Sequence, residues 1–207
     1  VSEIERLQIM FMSMGEPFIN YFNLKRAIIR LNKKYPNAEL LVSTSAPDYQ
    51  IKKHFNDFIE LSKSIHKIGI QFSVHESNDA QRKYLIPSKS SKLADIGTYG
   101  EKWALETKRK PFFNYCVHDG NNKDTNIKEL LENFNPNIWQ CTLSVICEKD
   151  QLMSNAINEK IEMINIFSSK MVDNGYSIRV FNPAGQDDIG GGCGQLWYFQ
   201  EWLENKI

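Results

Sequence analysis

Cys193 ends a run of three glycines in DDIGGGCGQL, residues 187–196. A thiol in that position is a candidate nucleophile, because the thiolate is the reactive form of cysteine. Gly190, Gly191 and Gly192 lack a Cβ and reach backbone conformations closed to other residues, so the sulfur sits on a stalk suited to visiting several partners. Other chemistry-bearing residues follow apolar runs: Ser13-Met14-Gly15-Glu16-Pro17, Ser43-Thr44-Ser45, Ser73-Val74-His75, His118-Asp119-Gly120, and Asp187-Asp188. Hydroxyls, an imidazole and carboxylates gathered at the ends of strands can hold and orient a small molecule. Each has a plainer reading when taken alone. Gly-Glu-Pro is a turn, a strand-end serine is a cap, Asp-Gly-Asn is a turn, and His75 is a hydrogen-bonded rim histidine.

The remaining cysteines are Cys116, Cys141 and Cys147, and no pair has zinc-type CxxC spacing. Cys116 and Cys141 fall in apolar, strand-like runs and read as buried, inert thiols. Cys147 sits at a strand end, where its state is open. No residues are assigned as metal ligands.

The elements that must position these groups alternate. Strand-like runs cover residues 7–12, 38–43, 68–74, 111–117, 140–146 and 176–181. Between them, apolar residues recur at helical spacing: Leu24, Ala27, Ile28 and Leu31; Ile51, Phe55, Phe58 and Ile59; Ile127, Leu130, Leu131 and Phe134; Ile157, Ile161, Ile164 and Met171. A further helix is expected over 92–108, and Gly175 is placed to end the long one. Six strands separated by helices predict an α/β fold with a parallel sheet and right-handed crossovers. The apolar strands fit a sheet covered on both faces. A doubly wound sheet and an incomplete (β/α) barrel both satisfy the pattern, and both gather chemistry at the C-terminal ends of the strands.

Of the 207 residues, 42% are hydrophobic, and no run is long enough to span a bilayer. No signal peptide opens the chain, so a cytoplasmic protein is expected. Lys+Arg and Asp+Glu balance at 25 each, so bulk charge points to neither nucleic acid nor membrane. The first residue is Val1, which suggests a piece of a longer chain.

The order of the strand-end motifs resembles that of the RlmN/Cfr family of radical S-adenosylmethionine (SAM) enzymes, which methylate adenine in RNA. The family's Gly-Met-Gly-Glu-Pro corresponds to Ser13–Pro17, and its Ser-Thr-Ser-Gly to Ser43-Thr44-Ser45-Ala46. Its Ser-Leu-His-Ala-x-Asn-Asp-x-x-Arg corresponds to SVHESNDAQR (73–82), and its Asp-Gly-Val-Asn-Asp to DGNNKD (119–124). Its terminal Asp-Asp-Ile-x-Ala-Ala-Cys-Gly-Gln-Leu corresponds to DDIGGGCGQL (187–196).

The resemblance implies an incomplete (β/α) barrel of radical SAM type over 1–186 and a tail over 187–207 that carries a methyl-carrier cysteine. It implies that Gly15 and Glu16 meet the methionyl amino group of SAM, and that Ser43, Ser73, Val74 and His75 hold the rest of the cofactor. Cys193 would take a methyl group from one SAM. A second SAM, cleaved at a [4Fe-4S] cluster, would supply the radical that activates that methyl for addition to carbon 2 of adenine in rRNA or tRNA. The family's CxxxCxxC segment precedes the Gly-Glu-Pro strand and is not in this sequence. The expectation is therefore an N-terminally truncated barrel with its cluster ligands outside this chain. Such a piece would be inactive alone, and its open edge beside the first strand would be available for a dimer.

There are departures from the family. Its SAM-binding Asn after the fifth strand falls near Cys147-Glu148-Lys149, where no Asn stands, and its Arg-Gly before the paired aspartates is Gly185-Gln186. The alternatives are a non-catalytic or divergent SAM- or nucleotide-binding module, or a radical SAM enzyme of another substrate class.

Overall fold

The structure, a computed structural model, describes residues 6–12, 15–146 and 152–181. Its six strands are β1 (Gln8–Phe11), β2 (Glu39–Thr44), β3 (Ile68–Ser73), β4 (Phe112–Val117), β5 (Gln140–Val145) and β6 (Ser177–Val180). All neighbouring pairs are parallel, and the strands lie in the order in which they occur in the sequence. That order decides between the two candidate architectures. A doubly wound sheet must reverse direction at some strand, whereas a sheet that always advances the same way places its crossover helices on one face. The fold is an open, barrel-like α/β sheet, with β1 and β6 as its edges among the described residues.

The helices are α1 (Tyr21–Lys34), α2 (Asp48–Ser64), α3 (Asp79–Leu85), α4 (Leu93–Thr107), α5 (Asp124–Asn133) and α6 (Met153–Asp173). The seven-residue α3 has no counterpart in the apolar periodicity. Asn78 caps it by accepting from the Gln81 backbone N–H. The long α6 closes as Gly175 predicts. Gly175 has φ +92° and donates to Val172 O, while Tyr176 donates to Met171 O. Those two bonds, with Met171 and Tyr176 both buried, form a Schellman cap. No described helix is long and apolar enough to cross a membrane.

The two faces of the sheet differ, which corrects the expectation of a sheet covered on both sides. In β4, Phe113, Tyr115 and Val117 are fully buried, while Phe112, Asn114 and Cys116 between them are only partly so. The buried set joins a core that includes Leu40, Val42, Ile70, Phe72, Cys141 and Leu143 with the apolar faces of the helices. Phe113, Phe134, Trp139 and Tyr176 meet there ring against ring, with centroids 4.9–6.2 Å apart. Gly100 of α4 lies against Trp139 so closely that a Cβ would come within 1.9 Å of the indole. The opposite, concave face is polar and forms the site.

Candidate functional site

The concave face holds a groove of about 470 Å³, within the usual size range of ligand pockets. Gly15, Glu16, Ser43, Ser45, Ser73 and His75 line its upper rim, and Gln71, Asn114, Cys116, Thr142, Ser144 and Arg179 line the wall below, with apolar side chains such as Met10, Met12 and Phe181 among them. The strand register explains the convergence. Ser43 pairs with Gln71, Ser73 with Asn114, Asn114 with Thr142, Thr142 with Arg179, and Cys116 with Ser144. Parallel pairing in register puts side chains of one parity on one face, so alternate polar residues stack into rows.

Gly15 has φ +77°, and an added Cβ would meet nothing within 4 Å. Backbone conformation, not space, calls for glycine here. Next to it, Glu16 serves as a hub. Its Oε1 accepts from Phe18 N–H (3.1 Å) and Thr44 Oγ1 (2.5 Å). Its Oε2 accepts from Ser45 N–H (2.8 Å) and Ser45 Oγ (2.9 Å). A carboxylate offers about four lone-pair positions, so this one is filled by the chain itself. It fastens the β1–α1 loop to the end of β2.

Ser45 also links Glu16 to a buried cation. Arg82 of α3 is 3% exposed and donates to Ser45 O (2.9 Å), Ser73 O (3.0 Å), Ser91 O (2.9 Å) and Ser90 Oγ (3.0 Å). Burial lowers its pKa to about 10, so it remains a cation at neutral pH. One guanidinium thus ties together the ends of β2 and β3.

Ser73 and His75 face the groove, whereas the Val74 side chain is fully buried in the core. The Val74 N–H donates to Asn114 O, so what Val74 could offer a ligand is confined to its main-chain carbonyl. His75 adopts a left-handed conformation, φ +63°, uncommon for a residue with a Cβ. Its carbonyl accepts from Asn121 Nδ2 (3.1 Å), and its Nδ1 is sealed from solvent without a partner. Burial, reinforced by the Arg82 charge, lowers the His75 pKa to about 4.

That shift predicts a pH signature. A native pKa near 4 against an ordinary 6.5 means that the unfolded chain binds the extra proton between those values. Stability contributed by neutral His75 is therefore complete above about pH 6.5 and is lost as pH falls toward 4. Asn tolerates left-handed backbone. Chemical denaturation across pH 4–7 should thus show a shallower pH slope for His75→Asn than for the parent; identical slopes would refute the assignment.

Behind His75 lies a buried pair. Glu76, 5% exposed, accepts from His118 Nε2 through Oε1 at 2.7 Å, and its Oε2 has no partner. Gly120 N–H donates to His118 Nδ1 (3.1 Å), which fixes the ring proton on Nε2. A Cβ on Gly120 would come within 2.9 Å of that ring. Asp119 and Gly120 therefore do form the turn that their types suggest, and the turn orients His118.

Cys141 is fully buried, as expected. Cys116 differs, because its parity turns it to the groove. Burial raises its thiol to about 11, so it stays protonated. Cys193, Cys147 and Asp187-Asp188 lie outside the described residues. Among those described, no group of three His, Cys, Asp or Glu side chains could hold a metal ion. They do not supply the ligand set of an iron–sulfur cluster.

The groove residues do fit a polar organic cofactor. Gln71 Oε1, His75 Nδ1 and Thr142 Oγ1 are buried, unpartnered and all on this groove. Buried polar atoms are nearly always paired, so three orphans at one concavity mark a ligand surface. The groove row of Gln71, Asn114, Thr142 and Ser144 is missing from the sequence-based candidates. Its one sequence signal is a polar residue at every second position of otherwise apolar strands.

No family model matches the chain. It is 29% identical over 194 residues to the probable dual-specificity RNA methyltransferase RlmN of Flavobacterium johnsoniae, covering 91% of this chain and 53% of that protein. It is 27% identical over 198 residues to the dual-specificity RNA methyltransferase RlmN of Helicobacter hepaticus, covering 93% and 51%. Among solved structures, a radical SAM methyltransferase from Sphaerobacter thermophilus superposes with a TM-score of 0.68 at 24% identity, over 91% of this chain and 54% of that one. The chain spans about half the length of the curated relatives it matches. It thus resembles the RlmN-type RNA methyltransferases in sequence and shares its open-barrel fold with a radical SAM methyltransferase.

Proposed function

We propose that this chain supplies the SAM-holding wall and the methyl-carrier cysteine of an RlmN-like radical SAM methyltransferase acting on adenine in RNA. The observation that carries the reading is the convergence, on one groove, of the motif residues Gly15, Glu16, Ser43, Ser73 and His75 with three orphaned buried polar atoms. The sequence similarity to RlmN proteins over 91% of the chain supports the same reading.

In this reading Ser43 and Ser73 hydrogen-bond the cofactor, and neutral His75 forms part of the wall beside them. Glu16 and Arg82 act on the cofactor by fixing the strand ends that carry those groups. SAM, when bound, supplies an electrophilic methyl group. Cys193, as a thiolate whose proton has passed to solvent, would receive it: a new S–C bond would form at Cys193 as the sulfonium–methyl bond breaks and S-adenosylhomocysteine leaves. Cluster ligands, RNA-binding surfaces and full turnover belong to the remaining length that the relatives have and this chain does not span. A cytoplasmic location goes with RNA as substrate.

The test uses this chain together with its natural upstream sequence. Mass spectrometry of the tryptic peptide carrying Cys193 should find one added methyl in cluster-loaded protein. Cys193→Ala should abolish RNA methylation while leaving S-adenosylhomocysteine binding intact. Normal methylation by Cys193→Ala would end the carrier role. An upstream sequence without CxxxCxxC, in a chain that still binds S-adenosylhomocysteine, would favour a non-catalytic SAM-binding module. Binding without RNA methylation in cluster-loaded protein would favour a different substrate class.

A further inference from the structure

We propose that the outer rim of the groove, from the start of α1 to the loop before α4, is a platform for single-stranded RNA, where Phe22, Tyr49 and Tyr84 stack on unpaired bases and Lys83, Lys89 and Lys92 meet phosphates. The inference rests on the reading of RNA as substrate and gives that substrate a surface. Among the described residues, Phe22, Tyr49 and Tyr84 are the only exposed Phe, Tyr or Trp side chains, at 71%, 70% and 91%. All three lie at one end of the molecule. Phe22 and Tyr49 are the second residues of α1 and α2, which follow the C-terminal ends of β1 and β2. Tyr84 belongs to α3, whose Arg82 donates to the Ser45 and Ser73 carbonyls at the ends of β2 and β3. The groove opens at that same end, with Gly15, Glu16, Ser43 and Ser73 on its rim. Exposed apolar side chains scattered singly are ordinary. Gathering every exposed aromatic beside one groove mouth is not.

Contacts join the three positions. Phe22 meets the His54 ring of α2 edge-on, with centroids 5.3 Å apart. Asp48 N–H donates to Lys89 O at 3.0 Å, and Pro47 and Ser90 form a bridge, so the loop over 86–92 lies against the start of α2. Arg82 holds the same loop through Ser90 Oγ and Ser91 O. The surface is thus preformed, which lowers the cost of ordering it on binding. Charge selects the partner. Residues 82–92, RKYLIPSKSSK, contain four cations and no acid, in a chain of zero net charge. Arg82 is committed to its carbonyls, whereas Lys83, Lys89 and Lys92 are exposed and have no partner among the described residues. The nearby acids are Asp48, paired with Lys52 at 2.8 Å, Asp79, which accepts from Leu93 N–H at 2.9 Å, and the half-buried Asp95. Aromatic faces beside free ammonium groups fit bases strung on a phosphate backbone. A duplex keeps its base faces inside the stack, so the fit is to an unpaired strand.

Fluorescence anisotropy tests this, with a labelled uridylate strand of about 12 nucleotides and this chain together with its natural upstream sequence. Tyr84→Ala and Tyr49→Ala should each weaken binding about 5-fold or more, as loss of one stacked base does. The double variant Lys83→Gln/Lys89→Gln should lower the slope of log affinity against log salt by about 1.4, at roughly 0.7 per phosphate contact on a single strand. An abasic strand of the same length should be held equally well by the parent and by Tyr84→Ala. These side chains are exposed, so the variants should fold, and circular dichroism checks that they do. Folded tyrosine variants that bind the uridylate strand as the parent does overturn the platform. So does an unchanged salt slope in the lysine variant, or an equal loss for the abasic strand. A dimer that dissociates in Tyr84→Ala, with RNA binding unchanged, assigns the surface to a second copy of the chain and also overturns it. If the parent methylates RNA and the variants bind it normally, the platform alone falls. If the parent neither binds the strand nor methylates RNA, the reading of RNA as substrate falls and takes the platform with it.

Discussion

Replacing Arg82 by alanine is expected to lower the unfolding free energy by at least about 3 kcal/mol and to abolish ligand binding at the groove. The side chain is almost wholly buried and satisfies Ser45 O, Ser73 O, Ser91 O and Ser90 Oγ. Truncation would leave the buried Ser91 carbonyl and the half-buried carbonyls of Ser45 and Ser73 short of a donor and open a space the size of a guanidinium between β2, β3 and α3. Arg82→Lys keeps the charge, but a single ammonium cannot span acceptors that a planar five-donor fork reaches together. It should therefore recover only part of the stability. The Ser45 and Ser73 carbonyls, at the ends of β2 and β3, would no longer be held at their native spacing, so S-adenosylhomocysteine affinity should stay depressed even in the folded Lys variant. Urea denaturation of both variants reads the first effect, and calorimetric titration of Arg82→Lys reads the second. A loss below about 1 kcal/mol in Arg82→Ala would show that the clamp is dispensable.

Arg82 also shows what the sequence could and could not disclose. The six strands and five of the six helices are legible because apolar periodicity is a local signal, and the sheet buries what that signal marks. The seven-residue α3 escapes it, since Arg82 is its one buried residue. Its readable sign was a capping pattern, Asn78 with Gln81 three positions on. The choice between a doubly wound sheet and an open barrel was also present, in the alternation of FFNYCV in β4, where Asn114 and Cys116 fall on the face opposite Phe113, Tyr115 and Val117.

The rim motifs Gly15-Glu16, Ser43, Ser73 and His75 are found together because strand ends of a parallel sheet share one edge. What each does there is another matter. The partners of Glu16, Arg82 and Glu76 lie 28, 37 and 42 positions away at Thr44, Ser45 and His118. No periodicity links such residues, and only the packed fold shows that Glu76 holds an imidazole while Val74, two residues before it, turns into the core.

Glu16→Gln is the substitution that separates a strut from a ligand. If the carboxylate chiefly meets the amino group of the cofactor, the amide should leave stability untouched and weaken S-adenosylhomocysteine alone. The structure argues for the strut, because both oxygens already accept two bonds each, from Phe18, Thr44 and Ser45. An amide keeps one oxygen and turns an NH2 group on the donors at the other position. Whichever way it sits, one backbone N–H, of Phe18 or of Ser45, faces a second donor and cannot rotate away. The hydroxyls of Thr44 and Ser45 can reorient to accept, so the loss is limited to roughly two hydrogen bonds and one donor–donor contact. The expected cost is about 2–3 kcal/mol of unfolding free energy. Because the β1–α1 loop and the end of β2 lose their joint together, S-adenosylhomocysteine and 5′-methylthioadenosine, which has the nucleoside without the amino acid, should weaken in parallel. Full stability combined with a loss confined to S-adenosylhomocysteine would return Glu16 to the role of a direct ligand for an ammonium.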